Sequence, residues 1–124
     1  MIELDHINLY VNDVSKSRAF YEKLLPPLGL PINREFGDVA VGFGNQNYAA
    51  FALVHQSDPI QVTHIAFRVD TRQDVDNLYK LALSVGGTDN GPPGVREHYH
   101  EHYYAAFVYD LDGHNLEFVC HNAP

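Results

Sequence analysis

Eight histidines stand out in this chain of 124 residues, because imidazole can bind metal ions and can also transfer protons near neutral pH. Two of them, His6 and His64, occur in similar segments, LDHINLYV and VTHIAFRV. Each segment alternates apolar with polar side chains, which predicts a half-buried strand. Successive side chains of a strand point to opposite faces of its sheet. We therefore expect both histidines on the face opposite the one that packs against a helix.

A carboxylate has the corresponding position on a third predicted strand. In the segment NLEFVCH, Leu116 and Phe118 share the apolar face, so Glu117 points the other way. Two imidazoles and one carboxylate with open positions suit Fe(II), Mn(II), Zn(II) or Ni(II). The sequence therefore predicts a divalent-metal site held by His6, His64 and Glu117. The alternative is that each of these side chains is an ordinary surface or hydrogen-bonded residue.

An internal repeat supports the choice of the two histidines. Residues 2–29 and 60–87, which are offset by 58, are identical at seven positions, whereas about two matches are expected by chance. Each copy predicts a strand, then a helix, then three shorter strands. We place the helices near 15–25 and 72–85, and the shorter strands near 32–36, 39–44 and 48–54 and near 95–98, 102–109 and 115–121. The glycine-rich stretch 86–94 is expected to be an irregular loop.

Composition excludes several classes of function. The 8 Lys and Arg residues against 16 Asp and Glu residues give a net charge of −8, which opposes binding to nucleic acid. No apolar run approaches the length of a membrane span. The only cysteine, Cys120, allows no intrachain disulfide, and the N-terminus has no signal-peptide pattern. We expect a cytoplasmic protein that acts on small molecules.

A segment dense in His and Tyr, VREHYHEHYY, precedes a predicted hairpin that turns at residues 110–113. A turn of that length would place Ala106 opposite Glu117. Tyr104 and Ala106 would then lie on the same face as the metal ligands. A slip of one residue would exchange the two faces.

We predict that this segment forms a pocket wall and supplies an acid or a base. His100 and Tyr104 are the catalytic candidates, and His98 and His102 are candidate substrate contacts. Two alternatives stay open. His98 and His100 could form a competing metal site, or the whole segment could be a polar edge strand that faces solvent.

Two arginines are candidates for binding an anionic substrate group. Arg68 shares a strand face with His64, and Arg96 precedes the His/Tyr segment. In an acidic chain, a guanidinium on this face can hold a carboxylate or a phosphate through two parallel hydrogen bonds. The alternative is an arginine at the rim that pairs with one of the acidic residues.

The double strand–helix–three-strand layout resembles the vicinal oxygen chelate superfamily. That superfamily includes glyoxalase I, extradiol dioxygenases, fosfomycin-resistance thiol transferases and bleomycin-binding proteins. The segments that carry the resemblance are LDHINLYVNDVSKSRAFYEKLL, VTHIAFRVD and AFVYDLDGHNLEFV. The last is similar to the ending Asp-Pro-Asp-Gly-x-x-(Leu/Ile)-Glu, with Leu111 in the place of Pro.

The resemblance implies an α+β fold, in which two repeated βαβββ units form a cup-shaped mixed sheet with helices on the outer face. It covers residues 1–124 as one domain, with units at about 1–57 and 58–124. First-strand histidines and last-strand carboxylates bind a divalent metal in the superfamily, which again indicates His6, His64 and Glu117. The resemblance also implies a homodimer. The sequence does not decide whether His6 and His64 meet within one chain or across two.

One position departs from glyoxalase I. Aligning AAFALVHQ with NLEFVCH through His55 and His121 places Phe51 where glyoxalase I has a glutamate as a fourth ligand. Phe51 can neither bind metal nor transfer a proton, so we expect no glyoxalase I activity. We expect Phe51 to contact the substrate instead. The resemblance then implies a lyase, a dioxygenase or a thiol transferase that acts on a small chelating substrate. The alternative is a non-catalytic protein that binds and sequesters a drug-like molecule.

Overall fold

The computed structural model describes residues 2–124 and divides the chain into two compact units, Met1–Gln61 and Val62–Pro124. The first unit contains β1 (Ile7–Val11), α1 (Val14–Leu24), a 3-10 turn (Pro26–Leu28), β2 (Ile32–Phe36), β3 (Ala40–Gly44) and β4 (Ala49–His55). The second contains β5 (His64–Arg68), α2 (Arg72–Ser84), β6 (Thr88–Val95), β7 (Tyr104–Tyr109) and β8 (Asn115–Cys120). The prediction of an α+β fold with two repeated βαβββ units is confirmed.

Each unit has one four-stranded mixed sheet, with strand order β1-β4-β3-β2 in the first and β5-β8-β7-β6 in the second. The first and last strands of each unit pair in parallel, and the other neighbours pair in antiparallel fashion. In the second unit, this parallel pairing places β5, which begins with His64, directly beside the strand that carries Glu117.

Helix α2 covers one face of the second sheet. It begins with a capping box, in which the Thr71 hydroxyl accepts from the Asp74 amide and the Asp74 carboxylate accepts from the Thr71 amide. Its buried residues Val75, Leu78 and Ala82 follow helical spacing, and the helix packs against β6, β7 and β8. We call the opposite face of this sheet, on which Glu117 lies, the site face.

Strand β6 lies in the stretch that was expected to be an irregular loop, so that prediction was wrong. The strand contains Pro92 and Pro93, and its register against β7 shifts between Asp89 and Gly91 and again between Gly91 and Gly94. It is the edge strand of its sheet, where proline is tolerated because the missing amide proton would face away from the ladder. Of the predicted strand at 95–98, only Val95 is in a strand, as the last residue of β6, and a turn follows at residues 97–99.

No helix within residues 2–124 has both the length and the apolar character that are needed to cross a bilayer.

Candidate metal centre

Glu117 is a buried carboxylate at the middle of β8, with only 3 % of its surface exposed. It lies opposite Ala66 of β5 and Phe107 of β7. A buried carboxylate is costly unless its oxygens are hydrogen-bonded or bind a cation. Both oxygens of Glu117 have partners: Oε1 lies 3.0 Å from Nε2 of His64, and Oε2 accepts from the hydroxyl of Tyr103.

The contacts of His64 determine which of its nitrogens is available. Nδ1 lies 3.2 Å from the backbone carbonyl oxygen of Asn115. A carbonyl only accepts, so Nδ1 carries the proton, and this kind of partner commonly orients histidines that bind metals. Nε2 faces Oε1 of Glu117, and a contact between these two atoms needs either a proton between them or a cation.

The 3.0 Å between Nε2 of His64 and Oε1 of Glu117 fits two adjacent ligands of one metal ion. Ligand distances of about 2.1 Å at right angles would place two donor atoms about 3 Å apart. The donor set, one imidazole nitrogen and one carboxylate oxygen, is also one that divalent transition metals accept. The residues present therefore fit part of a divalent-metal site.

Tyr103 is a partner of Glu117 that the sequence reasoning missed. Burial, followed by the hydrogen bond to Glu117 and the negative charge of its carboxylate, raises the pKa of the Tyr103 hydroxyl well above its usual value. Tyr103 therefore stays protonated and donates to Oε2. The signal that could have found it is the alternation of Tyr103 with Ala105 and Phe107, which runs from just before β7 into the strand and must be combined with the correct register.

The predicted register of the β7–β8 hairpin was wrong by one residue. Phe107, and not Ala106, lies opposite Glu117. The physical reason is the turn, which is one residue longer than predicted. Oδ1 of Asp110 accepts from the amides of Asp112 at 3.0 Å and His114 at 2.8 Å, so that His114 belongs to the turn.

Tyr104 and Ala106 consequently lie on the face covered by α2, and the prediction that they face the metal was wrong. The hydroxyl of Tyr104 donates to Oδ1 of Asp76 in α2 at 2.6 Å. The guanidinium of Arg72 lies 5.0 Å from the centre of the same ring. Tyr104 therefore fixes the helix to the sheet and is not placed to be a catalytic residue beside Glu117.

Among the other residues predicted in the His/Tyr segment, His100 reaches the end of β8. Its Nε2 lies 2.7 Å from Nδ1 of His121. His98 packs instead on Tyr99, with ring centres 4.1 Å apart. His102 lies 3.6 Å from the exposed carboxylate of its neighbour in sequence, Glu101.

Arg96 extends towards the site face. Its guanidinium lies 5.5 Å from the centre of the Phe107 ring and donates to the carbonyl of Pro92 at 2.8 Å. The Phe107 ring in turn lies 6.3 Å from the ring of His64. The guanidinium of Arg96 and the ring of His64 therefore both lie near the Phe107 ring.

Phe51 does not have the position that was predicted for it. Its side chain is 3 % exposed, and its ring packs against Tyr21 and Phe43 in the core of the first unit. The side chain of Phe51, which was predicted to contact substrate, is therefore buried in the core of the first unit.

The register explains the error at Phe51. In the second unit, Ala66 lies opposite Glu117. Its repeat counterpart, Asn8, lies opposite Ala52. Ala52 is therefore the counterpart of Glu117, and the alignment through the histidines was off by one residue. Since alanine has no ligating atom, the first unit still offers no carboxylate at this position.

His6 directly precedes β1, and its side chain is half exposed. Its Nδ1 lies 2.6 Å from Oδ2 of Asp5. When Nδ1 donates to that carboxylate, Nε2 is left available, as it is in His64. Within residues 2–124, no group of three or more His, Cys, Asp and Glu side chains is arranged to hold a metal ion, and His6 stays a predicted ligand.

A sequence model of the Glyoxalase/Bleomycin resistance protein/Dioxygenase superfamily matches residues 3–118. The chain belongs to this superfamily. The resemblance to the vicinal oxygen chelate superfamily is thereby confirmed. No curated protein matches the chain in sequence.

Solved structures show the same superfamily fold. A hypothetical protein from S. aureus is 32 % identical, with a TM-score of 0.71, and the match covers 97 % of this chain and 98 % of that one. A glyoxalase/bleomycin resistance protein from Albidiferax ferrireducens is 23 % identical, with a TM-score of 0.75 and coverage of 97 % and 98 %. A lactoylglutathione lyase from Agrobacterium tumefaciens is 16 % identical, with a TM-score of 0.72 and coverage of 96 % and 93 %.

Proposed function

We propose that this superfamily member is a metal-dependent enzyme that acts on a small oxygenated molecule able to chelate a divalent ion. The observation that carries the proposal is the buried Glu117 carboxylate with Nε2 of His64 at 3.0 Å. His64, Glu117 and the predicted third ligand His6 would hold Fe, Mn, Zn or Ni. An ion bound there would polarise the oxygens of the substrate as a Lewis acid.

The side chains around this pair have separable roles in the proposal. Tyr103 fixes the orientation of the Glu117 carboxylate through Oε2 and leaves Oε1 towards His64. Phe107 supplies an apolar wall against which a substrate would pack. The proton-transfer role predicted for His100 would act through its contact with His121.

The absence of a carboxylate at Ala52 bears on the type of reaction. Glyoxalase I uses a glutamate at the corresponding position as a fourth ligand and for proton transfer. Since Ala52 can do neither, we propose chemistry other than that isomerisation. A lyase, dioxygenase or thiol-transferase reaction needs only open metal positions for the oxygens of the substrate.

Metal analysis of purified protein tests the site. We expect about one divalent ion per site in the wild type, and a loss of that ion in Glu117→Gln and in His64→Ala. His55→Ala is the matched control, because this exposed histidine ends β4 in the other unit. Full metal occupancy in Glu117→Gln would overturn the proposal.

The alternative function is sequestration of a small molecule without catalysis. The aromatic rings of Phe107 and Tyr103 on the site face favour it, because planar apolar ligands pack on such rings. A sequestering protein would bind its ligand equally well after treatment with a chelator. The enzyme proposed above would lose binding of its chelating substrate under the same treatment.

A further inference from the structure

We propose that Arg68 and His121 form an oxyanion-binding site on the site face, which takes a carboxylate or phosphate group of the substrate. The substrate would also chelate the metal through its other end, and for that part alone this inference rests on the proposed function. The oxyanion site itself is argued from the second unit alone.

Arg68 has neither an ion-pair partner nor a hydrogen-bond partner in the part of the chain that the structure describes. It is the last residue of β5, lies opposite Val119, and shares the strand face of His64. The chain has twice as many acidic as basic side chains, so a lack of carboxylates does not explain the absence of these partners.

Glu117, the buried carboxylate of the site face, is not available to neutralise Arg68. Its Oε1 is occupied by His64 and its Oε2 by Tyr103. The guanidinium therefore keeps all of its donors free on the same face as the candidate ligands. Five donors in a planar fork are suited to carboxylate and phosphate oxygens.

His121 presents a second free donor. The amide of His102 donates to Nδ1 of His100 at 3.1 Å, so the proton of neutral His100 is on Nε2. That Nε2 donates to Nδ1 of His121 at 2.7 Å. The remaining proton of His121 is therefore on its Nε2, which has no hydrogen-bond partner within residues 2–124.

The two donors lie at the same end of the sheet, because Arg68 is opposite Val119 and His121 follows Val119 by two residues. Burial, followed by the positive charge of Arg68 and the neighbouring His100, lowers the pKa of His121. The ring of His121 also lies 5.2 Å from that of Tyr103, whose hydroxyl reaches Glu117. The imidazole is thus a neutral N–H donor beside a fixed positive charge, and an oxyanion can accept from both.

The spacing defines a class of substrate. The pair Arg68–Val119 lies two residues along the ladder from the pair Ala66–Glu117, which corresponds to about 7 Å at the usual strand rise. A substrate that uses both sites would have neighbouring oxygen donors at one end and a carboxylate or a phosphate at the other. A small acidic molecule meets that description, whereas a neutral drug-like ligand does not.

Titration of metal-free protein with inorganic phosphate, and separately with acetate, tests the site. NMR resonances of the Arg68 Nε–H and the His121 ring report binding directly. We expect the wild type to bind at least one of the two anions, and Arg68→Gln and His121→Gln to bind it at least tenfold more weakly. The anion that binds more tightly identifies the group, phosphate or carboxylate. Arg34→Gln is the control, because this exposed arginine on β2 donates only to a backbone carbonyl.

Two outcomes would overturn the proposal: equal binding by Arg68→Gln and the wild type, or no binding of either anion by the wild type. Because the titration uses metal-free protein, it is independent of the metal centre. A wild type that binds phosphate through Arg68 but takes up no metal would contradict the proposed function and leave the oxyanion site standing.

Discussion

Among single residues, Tyr103 offers the sharpest test of the candidate metal centre, because it contacts Glu117 without being a predicted ligand. Tyr103→Phe keeps the ring and removes the hydroxyl. We expect metal affinity to fall 10- to 100-fold, roughly the usual effect of removing a residue that orients a ligand. The free energy of unfolding of metal-free protein should fall by about 1–3 kcal/mol, since a buried carboxylate oxygen loses its partner. Metal titration and urea denaturation measure the two effects.

Tyr99→Phe is the matched control for this substitution. Tyr99 is exposed, and its ring contacts that of Tyr103 at 4.7 Å. Removing its hydroxyl should leave both metal affinity and stability within error of the wild type. Equal metal affinity in Tyr103→Phe and the wild type would show that Tyr103 does not orient a ligand.

The residues of the site differ in how far the sequence could predict them. The faces of His64 and Glu117 follow from alternation within one strand, which is a local property. Whether Tyr103 or Tyr104 lies on the site face depends on the number of residues in the turn 110–114. Hydrogen bonds to the Asp110 carboxylate set that number. Alternation cannot supply that number, because a shift of one residue exchanges the faces of a whole strand.

At the scale of elements, β4 provides a direct test of the register of the first unit. Phe51→Glu would place a charge among Tyr21 and Phe43 in the core. We expect this substitution to lower the free energy of unfolding by more than about 3 kcal/mol or to prevent folding. In Ala52→Glu the new side chain would lie on the opposite, half-buried face, and the free energy of unfolding should fall far less. Urea denaturation of the two variants compares neighbouring positions with the same new side chain. A greater loss in Ala52→Glu would contradict the register.

Strand β6 shows why one element was not predicted. Gly91, Pro92, Pro93 and Gly94 are typical of a loop when the local pattern alone is considered. The strand forms because β7 offers a neighbouring backbone, and it accommodates these residues through two register shifts. Tertiary pairing therefore overrides the local preference at this sheet edge.

For the whole molecule, the repeat produces similar folds with different chemistry. His6 and His64 occupy equivalent positions, and Nδ1 of each faces an oxygen. The counterpart of Glu117 is Ala52, so only the second unit carries the carboxylate. The fold and the repeated histidines could be predicted from the sequence because both units keep the same pattern. The difference between the units could be located only once the two registers were known.

Metal binding by the native state should stabilise the whole chain. An ion that binds the folded but not the unfolded protein adds about 2.7 kcal/mol to the free energy of unfolding when its concentration is 100 times Kd. We therefore expect Tm to rise when Mn²⁺, Fe²⁺, Zn²⁺ or Ni²⁺ is added, and to return to the metal-free value with excess chelator. Differential scanning calorimetry measures both shifts. Glu117→Gln and His6→Ala should each lose most of the metal-dependent rise, whereas His55→Ala should keep it. Each variant is compared with its own metal-free form, so a general loss of stability does not affect the result. A full rise of Tm in His6→Ala would show that His6 is not a ligand and would leave His64 and Glu117 as the proposed ligands.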